Sequence, residues 1–174
     1  MLFNSLSFAL FFAVVWLPYL AIGNWAIRKH LLLIASYVFY AAWNPPYVLI
    51  LGFSTALDWW LARKLCRTDD PRRRKALLWI SIVANLSLLG FFKYGSFLLG
   101  NFQVLLAQFG INYIPPAFSI VLPAGISFYT FASLSYTVDV YRREIKADCC
   151  LSDYALFVSF FPHLVAGPIV RARL

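Results

Sequence analysis

The chain has 174 residues, of which 62% are hydrophobic, 19% aromatic and 13% charged, with a mean hydropathy of +0.74. Soluble domains carry about a quarter charged residues, so this composition excludes a protein with a wholly water-facing surface and implies an integral membrane protein. The formal net charge of +8 does not imply nucleic acid: seven of the fifteen Lys and Arg fall between Arg63 and Lys75, and no aromatic residues interleave with them.

In chain order, the uncharged runs are Met1 to Ile27, His30 to Leu57, Ala76 to Phe92, Tyr94 to Val138 and the shorter Tyr154 to Val170. A spanning helix needs about 17–25 apolar residues, and each run meets that length. The first helix is expected over Phe8 to Ala21. It has no basic segment before it and no small-residue cleavage site, so it reads as a retained helix rather than a secretory signal, with the N-terminus outside. It should end before Arg28-Lys29-His30, where His30 is an interfacial residue. The next run contains Asn44-Pro45-Pro46, which predicts two helices joined by a turn, because proline removes a backbone donor and restricts the residue before it. That hairpin brings Arg28-Lys29 and the basic segment to one face. Trp43, Trp59 and Trp60 suit helix ends at an interface, and Asp58 reads as an interfacial charge near Arg63 or Lys64.

Residues 61–76 are expected to form a basic cytoplasmic loop within a single transmembrane region covering 1–174. Ala76 to Phe92 then spans, with Lys93 at its boundary. Gly95 to Gly110, interrupted by glycines, Asn101, Gln103 and Gln108, is expected as a separate shallow or interfacial helix. Tyr113 to Ala117 (YIPPA) is a turn. A further helix is expected from Val121–Gly125 to about Asp139, then a charged loop from Tyr141 to Asp153, then a last segment from Tyr154. The three cysteines, Cys66, Cys149 and Cys150, have neither disulfide nor metal spacing. No metal site is expected.

Two segments carry chemistry. In LPAGISFYTFASLSYTVDVYRRE, Tyr129, Ser133, Tyr136 and Val140 recur at helical spacing with Thr130 and Thr137 beside them, while Phe131, Leu134 and Val138 fall opposite. The hydroxyls either bond neighbouring helices or line a cavity for a polar substrate. Pro123 suits a helix start and Gly125 a close neighbour. Asp139 and Arg142 are expected to pair at the helix exit, or with Arg143 to hold an anionic group. In FFPHLVAGPIVR, His163 sits between Pro162 and Leu164, and Gly167-Pro168 follows. An uncharged run broken in this way suggests a kinked or re-entrant element beside a water-accessible space, with His163 structural or a proton carrier. No other catalytic motif is present. The residues alone therefore stop at a multi-span protein, with the choice between a polar cavity and bonds to neighbouring helices open and the function unassigned.

These two motifs, with LLLIASYVFYAAW and FFKYGSF in the same order, resemble the membrane-bound O-acyltransferase family, and most closely its bacterial branch of alginate and polysaccharide O-acetylases. The resemblance covers nearly the whole chain. It implies an all-α polytopic transmembrane protein forming the N-terminal portion of a helix ring around a central tunnel. It further implies acetyl transfer from a cytoplasmic donor such as acetyl-CoA toward polysaccharide hydroxyls, completed by a periplasmic partner in the inner membrane. Tyr129, Ser133, Tyr136, His163 and Arg171 would then line the tunnel or its mouth. The histidine held to be catalytic in the family has no counterpart here. It is expected beyond Leu174, so these 174 residues are expected to be an N-terminal portion, inactive alone. A transporter or channel subunit and a non-catalytic scaffold are the alternatives. The first would carry paired repeats, which are not seen.

Overall fold

The computed structural model describes residues 5–111, 122–147 and 149–166, and the described residues are helical throughout apart from turns and short connections. The elements are α1 (Leu6–Ala21), α2 (Trp25–Ala41), α3 (Pro45–Arg67), α4 (Pro71–Gln108), α5 (Ile126–Tyr141), α6 (Leu151–Ser159) and α7 (Phe161–Ala166). The starts of the first four follow from local chemistry. The Ser5 hydroxyl accepts from the Phe8 amide at 3.2 Å, Asn24 Oδ1 from Ala26 at 2.9 Å and Asp70 Oδ1 from Arg72 at 2.9 Å. Each satisfies a first-turn donor that the helix itself cannot. Pro45 and Pro46 open α3 and Pro71 opens α4, where a missing N–H costs nothing. The hairpin expected at Asn44-Pro45-Pro46 is thus present.

The first helix ends before Arg28-Lys29-His30 as expected, and these three residues lie inside α2 because Asn24 caps that helix before them. Two expectations are corrected. Most of residues 61–76 is helical: α3 continues to Arg67 and α4 begins at Pro71, leaving only Thr68 to Asp70 of that segment as a loop. Finally, Gly95–Gly110 is no separate helix, for α4 runs unbroken for 38 residues. No proline follows Pro71 in α4, a glycine in a helix costs only about 1 kcal/mol, and Asn101 returns its amide to the Phe97 carbonyl at 2.8 Å. At about 1.5 Å per residue α4 is about 57 Å long, against a bilayer hydrocarbon core of about 30 Å. It is the one described helix both long and apolar enough to cross a membrane. The YIPPA turn lies outside the described residues.

The helices form a bundle with two chemically different ends. At one end the charged termini meet. Lys29 Nζ pairs with Asp153 Oδ1 at 2.6 Å, joining the start of α2 to the start of α6. Arg143 pairs with Asp69 at 2.9 Å, joining the end of α5 to the α3–α4 turn, and Trp59 Nε1 donates to the Cys149 carbonyl at 3.1 Å. At the other end aromatic rings gather: Phe11 and Phe39 pack on Phe161, and Tyr47 on Trp43 and Phe92. Between the ends the core is built from Tyr40, Leu51, Ala62, Leu65, Tyr129, Tyr136, Val140, Tyr154 and Val158. The outward faces are apolar as well, with Leu49, Phe53 and Phe97 among many exposed large side chains.

Candidate functional site

Asp58 is the centre of the site. On α3 it falls in register with Leu51, Thr55, Ala62 and Leu65, at steps of three and four residues that put all five on one buried face. The side chain is 0% exposed. Its carboxylate accepts from the Ser81 hydroxyl at 2.7 Å and from Asn85 Nδ2 at 2.9 and 2.8 Å, both on α4. Thr137 Oγ1 of α5 lies 3.4 Å from Ser81 Oγ, and Ser133 of α5 and Tyr154 of α6 border the acid. Among the described residues no cation pairs with it. The expected interfacial role is therefore corrected. Arg63 lies over the Trp59 ring at 4.8 Å and Lys64 over Trp60 at 3.7 Å, because both sit off the buried face that carries Asp58.

The acid thus fixes α3 to α4, and its serine donor reaches toward α5. Asn85 Oδ1 is buried and has no donor that meets hydrogen-bond geometry among the described residues, and the hydroxyl of Tyr154 does not meet that geometry with any of them either. A sequence signal for the cluster exists. Ser81 and Asn85 share a helical face with Arg74 and Leu89, and these four are the buried residues of α4.

Arg74 is the second residue that sequence reasoning missed, since it stands within the basic segment. It is 6% exposed. Its guanidinium donates to the carbonyls of Leu65 at 2.6 Å, Thr68 at 3.0 Å, Val140 at 3.4 Å and Tyr141 at 2.8 Å. These carbonyls close the last turns of α3 and α5, where helices lack internal donors and carry partial negative charge. One cation therefore locks two helix ends together beneath the polar cluster.

The hydroxyl stripe on α5 faces protein. Tyr129, Ser133 and Tyr136 are all buried, and Phe131 is exposed on the opposite side. The Tyr136 hydroxyl is 3.1 Å from Cys149 Sγ, and its ring centroid is 4.8 Å from that of Tyr154. Tyr129 lies beside Tyr40, and neither hydroxyl meets hydrogen-bond geometry. Thr137 returns its hydroxyl to the Ser133 carbonyl at 3.0 Å.

The Asp139–Arg142 pair does not form. The helix ends at Tyr141 and Arg143 takes a left-handed φ of 63°, so the chain turns, and Arg142 meets Glu144 instead at 3.8 Å. Asp139 is buried, and its carbonyl accepts from the Glu144 amide.

His163 sits in α7, half-buried, its ring 5.2 Å from that of Phe160. The break expected around Pro162 is real: α6 ends at Ser159 and α7 starts at Phe161. The Phe161 amide freed there is taken by the Ser36 hydroxyl of α2 at 3.2 Å. Just before α5, Gly125 has φ of 72°, and a Cβ at this position would stand 2.5 Å from the Leu164 carbonyl oxygen. The two sequence motifs thus meet at a backbone contact that excludes any side chain, as expected of Gly125. Arg171 and Leu174 lie outside the described residues, and so does the catalytic histidine expected beyond Leu174.

No family model matches the chain, and no solved structure matches it. Curated proteins do. The chain is 39% identical over 176 aligned residues to the probable alginate O-acetylase AlgI of Pseudomonas aeruginosa and 37% identical to that of Azotobacter vinelandii, in each case over 99% of its own length. To the peptidoglycan O-acetyltransferase of Helicobacter pylori it is 33% identical over 98% of its length. It spans 33%, 35% and 37% of those proteins respectively, about a third of each. The chain is thus a homologue of bacterial O-acetylases, as its motifs indicated.

Proposed function

We propose that this chain forms part of a membrane-bound O-acyltransferase. It would be multi-pass in a bacterial inner membrane and would take part in moving acetyl groups from a cytoplasmic donor such as acetyl-CoA to polysaccharide hydroxyls. The observation that carries this is similarity along essentially the whole chain to proteins named as O-acetylases. The apolar outer faces of the bundle, the long α4 and the gathering of basic helix ends at one pole support placement in a bilayer with that pole toward the cytoplasm.

On this reading these residues supply scaffold and lining. Tyr129, Ser133, Tyr136, His163 and Arg171 remain candidates for the tunnel and its mouth, and Asp58 with Asn85 joins α3 to α4, the two helices on which α5 packs. Acyl donor, exopolysaccharide acceptor and a periplasmic transfer partner are the implied partners.

The test is a chimera in which this chain replaces the matching third of the Pseudomonas aeruginosa relative, in cells lacking that relative. Restored O-acetylation of the exported polymer supports the proposal. A chimera that is retained in membranes after alkaline carbonate extraction, folds, and leaves the polymer unacetylated refutes it.

A further inference from the structure

A cavity of about 670 Å³ opens on the outer side of the bundle between α2, α3 and α6. Its depth comes from small residues, among them Ala41, Gly52, Ala56 and Ala155, with Leu33 and Tyr37 along one wall. The few polar groups in it are occupied. Thr55 donates to the Leu51 carbonyl at 2.7 Å, Tyr37 bonds Thr55, and Ser152 lies 3.1 Å from Cys150 Sγ. A lining of this kind offers nothing to a polar ligand and much to a hydrocarbon chain.

The groove has a direction. Leu33, Tyr37 and Ala41 are successive turns of one α2 stripe, and Lys29 is the preceding turn of the same stripe. Lys29 pairs with Asp153, next to the groove residue Ser152, and its side chain keeps 28% of its exposure. Its sequence neighbours turn elsewhere: Arg28 donates to the Ile22 carbonyl and lies over the Tyr19 ring, and His30 Nδ1 meets the Ala26 carbonyl. From Lys29 to Ala41 is twelve residues, about 18 Å along the helix, close to the roughly 15 Å depth of one hydrocarbon leaflet. The site is therefore an apolar slot about one leaflet long with one cation, Lys29, at its charged end.

We propose that this groove binds an anionic phospholipid, with an acyl chain between α2, α3 and α6 and the phosphate at Lys29. The proposal rests on the bilayer placement given above. An ammonium group has three donors, and Asp153 takes one, so a phosphate can share Lys29 without breaking the pair. The charge selects an anionic headgroup, and the apolar slot supplies most of the affinity.

The test uses the full chain purified in detergent and exchanged into mixtures of phosphatidylglycerol and phosphatidylcholine, with bound lipid counted by native mass spectrometry. Wild type should retain phosphatidylglycerol at least fivefold over phosphatidylcholine. Gly52→Leu fills the slot: a Cβ there meets only Tyr37 Cε1, at 4.0 Å, and leucine is the better helix former. It should lower retention of both lipids at least fivefold with an unchanged thermal melt. If its melt falls, Ala56→Leu, at an exposed groove position, replaces it under the same criterion. Lys29→Gln should bring the two lipids to within twofold of each other while leaving total retention in place. Undiminished lipid on a folded, slot-filled variant overturns the groove, and an unchanged lipid preference in Lys29→Gln overturns the headgroup site. Release of the chain from membranes by alkaline carbonate would instead refute the bilayer placement, so the two failures are distinguishable.

Discussion

Replacing Asp58 probes the centre of the bundle most directly. Asp58→Ala removes the acceptor of the Ser81 hydroxyl's 2.7 Å bond and of one Asn85 N–H, while Asn85 Nδ2 keeps the Ser81 carbonyl at 3.0 Å and Ser81 Oγ keeps only the 3.4 Å contact with Thr137. Each stranded donor costs about 1–3 kcal/mol, so the gross loss is about 2–6 kcal/mol. Removing the carboxylate also relieves part of its desolvation cost, on the order of 2 kcal/mol, so from the middle of that range we expect a net loss of about 2 kcal/mol. That is roughly a 25-fold change in the unfolding constant at about 1.4 kcal/mol per tenfold. Asp58→Asn should cost only about 1 kcal/mol. Its carbonyl still accepts from Ser81, and its new amide can be met by Asn85 Oδ1, which has no donor in the parent among the described residues. The triple variant Asp58→Leu, Ser81→Ala, Asn85→Leu should be less destabilised than Asp58→Ala, because it strands nothing. Stability is read by SDS-induced unfolding of detergent-purified protein, followed by far-UV circular dichroism. If Asp58→Ala falls within about 0.5 kcal/mol of the parent, as an ordinary surface substitution would, the cluster has no energetic weight and the argument from burial is wrong.

Gly125→Ala and Gly125→Asn should destabilise alike, since asparagine relieves the left-handed backbone but not the 2.5 Å contact with the Leu164 oxygen. Gly110→Asn, at a φ of 75° with nothing nearby among the described residues, should be neutral in the same unfolding assay. Arg74→Lys should lose about 2 kcal/mol, because one ammonium cannot replace a planar fork that reaches four carbonyls. Rescue by lysine would show that only the charge matters. At the charged pole, the hydrogen bond from Lys29, with its charge, holds the Asp153 carboxyl below its ordinary range, and the bond to Asp153 raises Lys29. The pair therefore stabilises above the ordinary carboxylate range near pH 4 and below the lysine range near pH 10. The difference between wild type and Asp153→Asn should be small and flat from pH 5 to 9, and it should vanish as the pH falls below 4.

Much of the fold is legible in the sequence because it is local. The turn at Asn44-Pro45-Pro46, the first helix, the break around Pro162 and the close approach at Gly125 each follow from what proline, glycine or a polar cap does to its own stretch of backbone. The continuity of α4 is not legible for the converse reason. Glycines weaken a helix without ending it, and a weakened stretch looks the same in sequence as a boundary. The stripe on α5 is visible as a period, but a period cannot tell whether a buried hydroxyl meets a neighbour or a cavity. Tyr136 meets Cys149, thirteen residues away, and Asp139 fails to meet Arg142, because the chain leaves the helix between them.

The sequence by itself determined that lipid-compatible helices would form, where several begin, and to which proteins the chain is similar, since composition, caps and motifs are properties of short stretches. Only the tertiary structure decided that Asp58 and Arg74 lie in the interior. A lone charge near a helix end looks the same from sequence whether it faces water or protein. The difference is made by partners 23 to 67 residues away, Ser81 for Asp58 and Tyr141 for Arg74, which packing alone brings within hydrogen-bond reach.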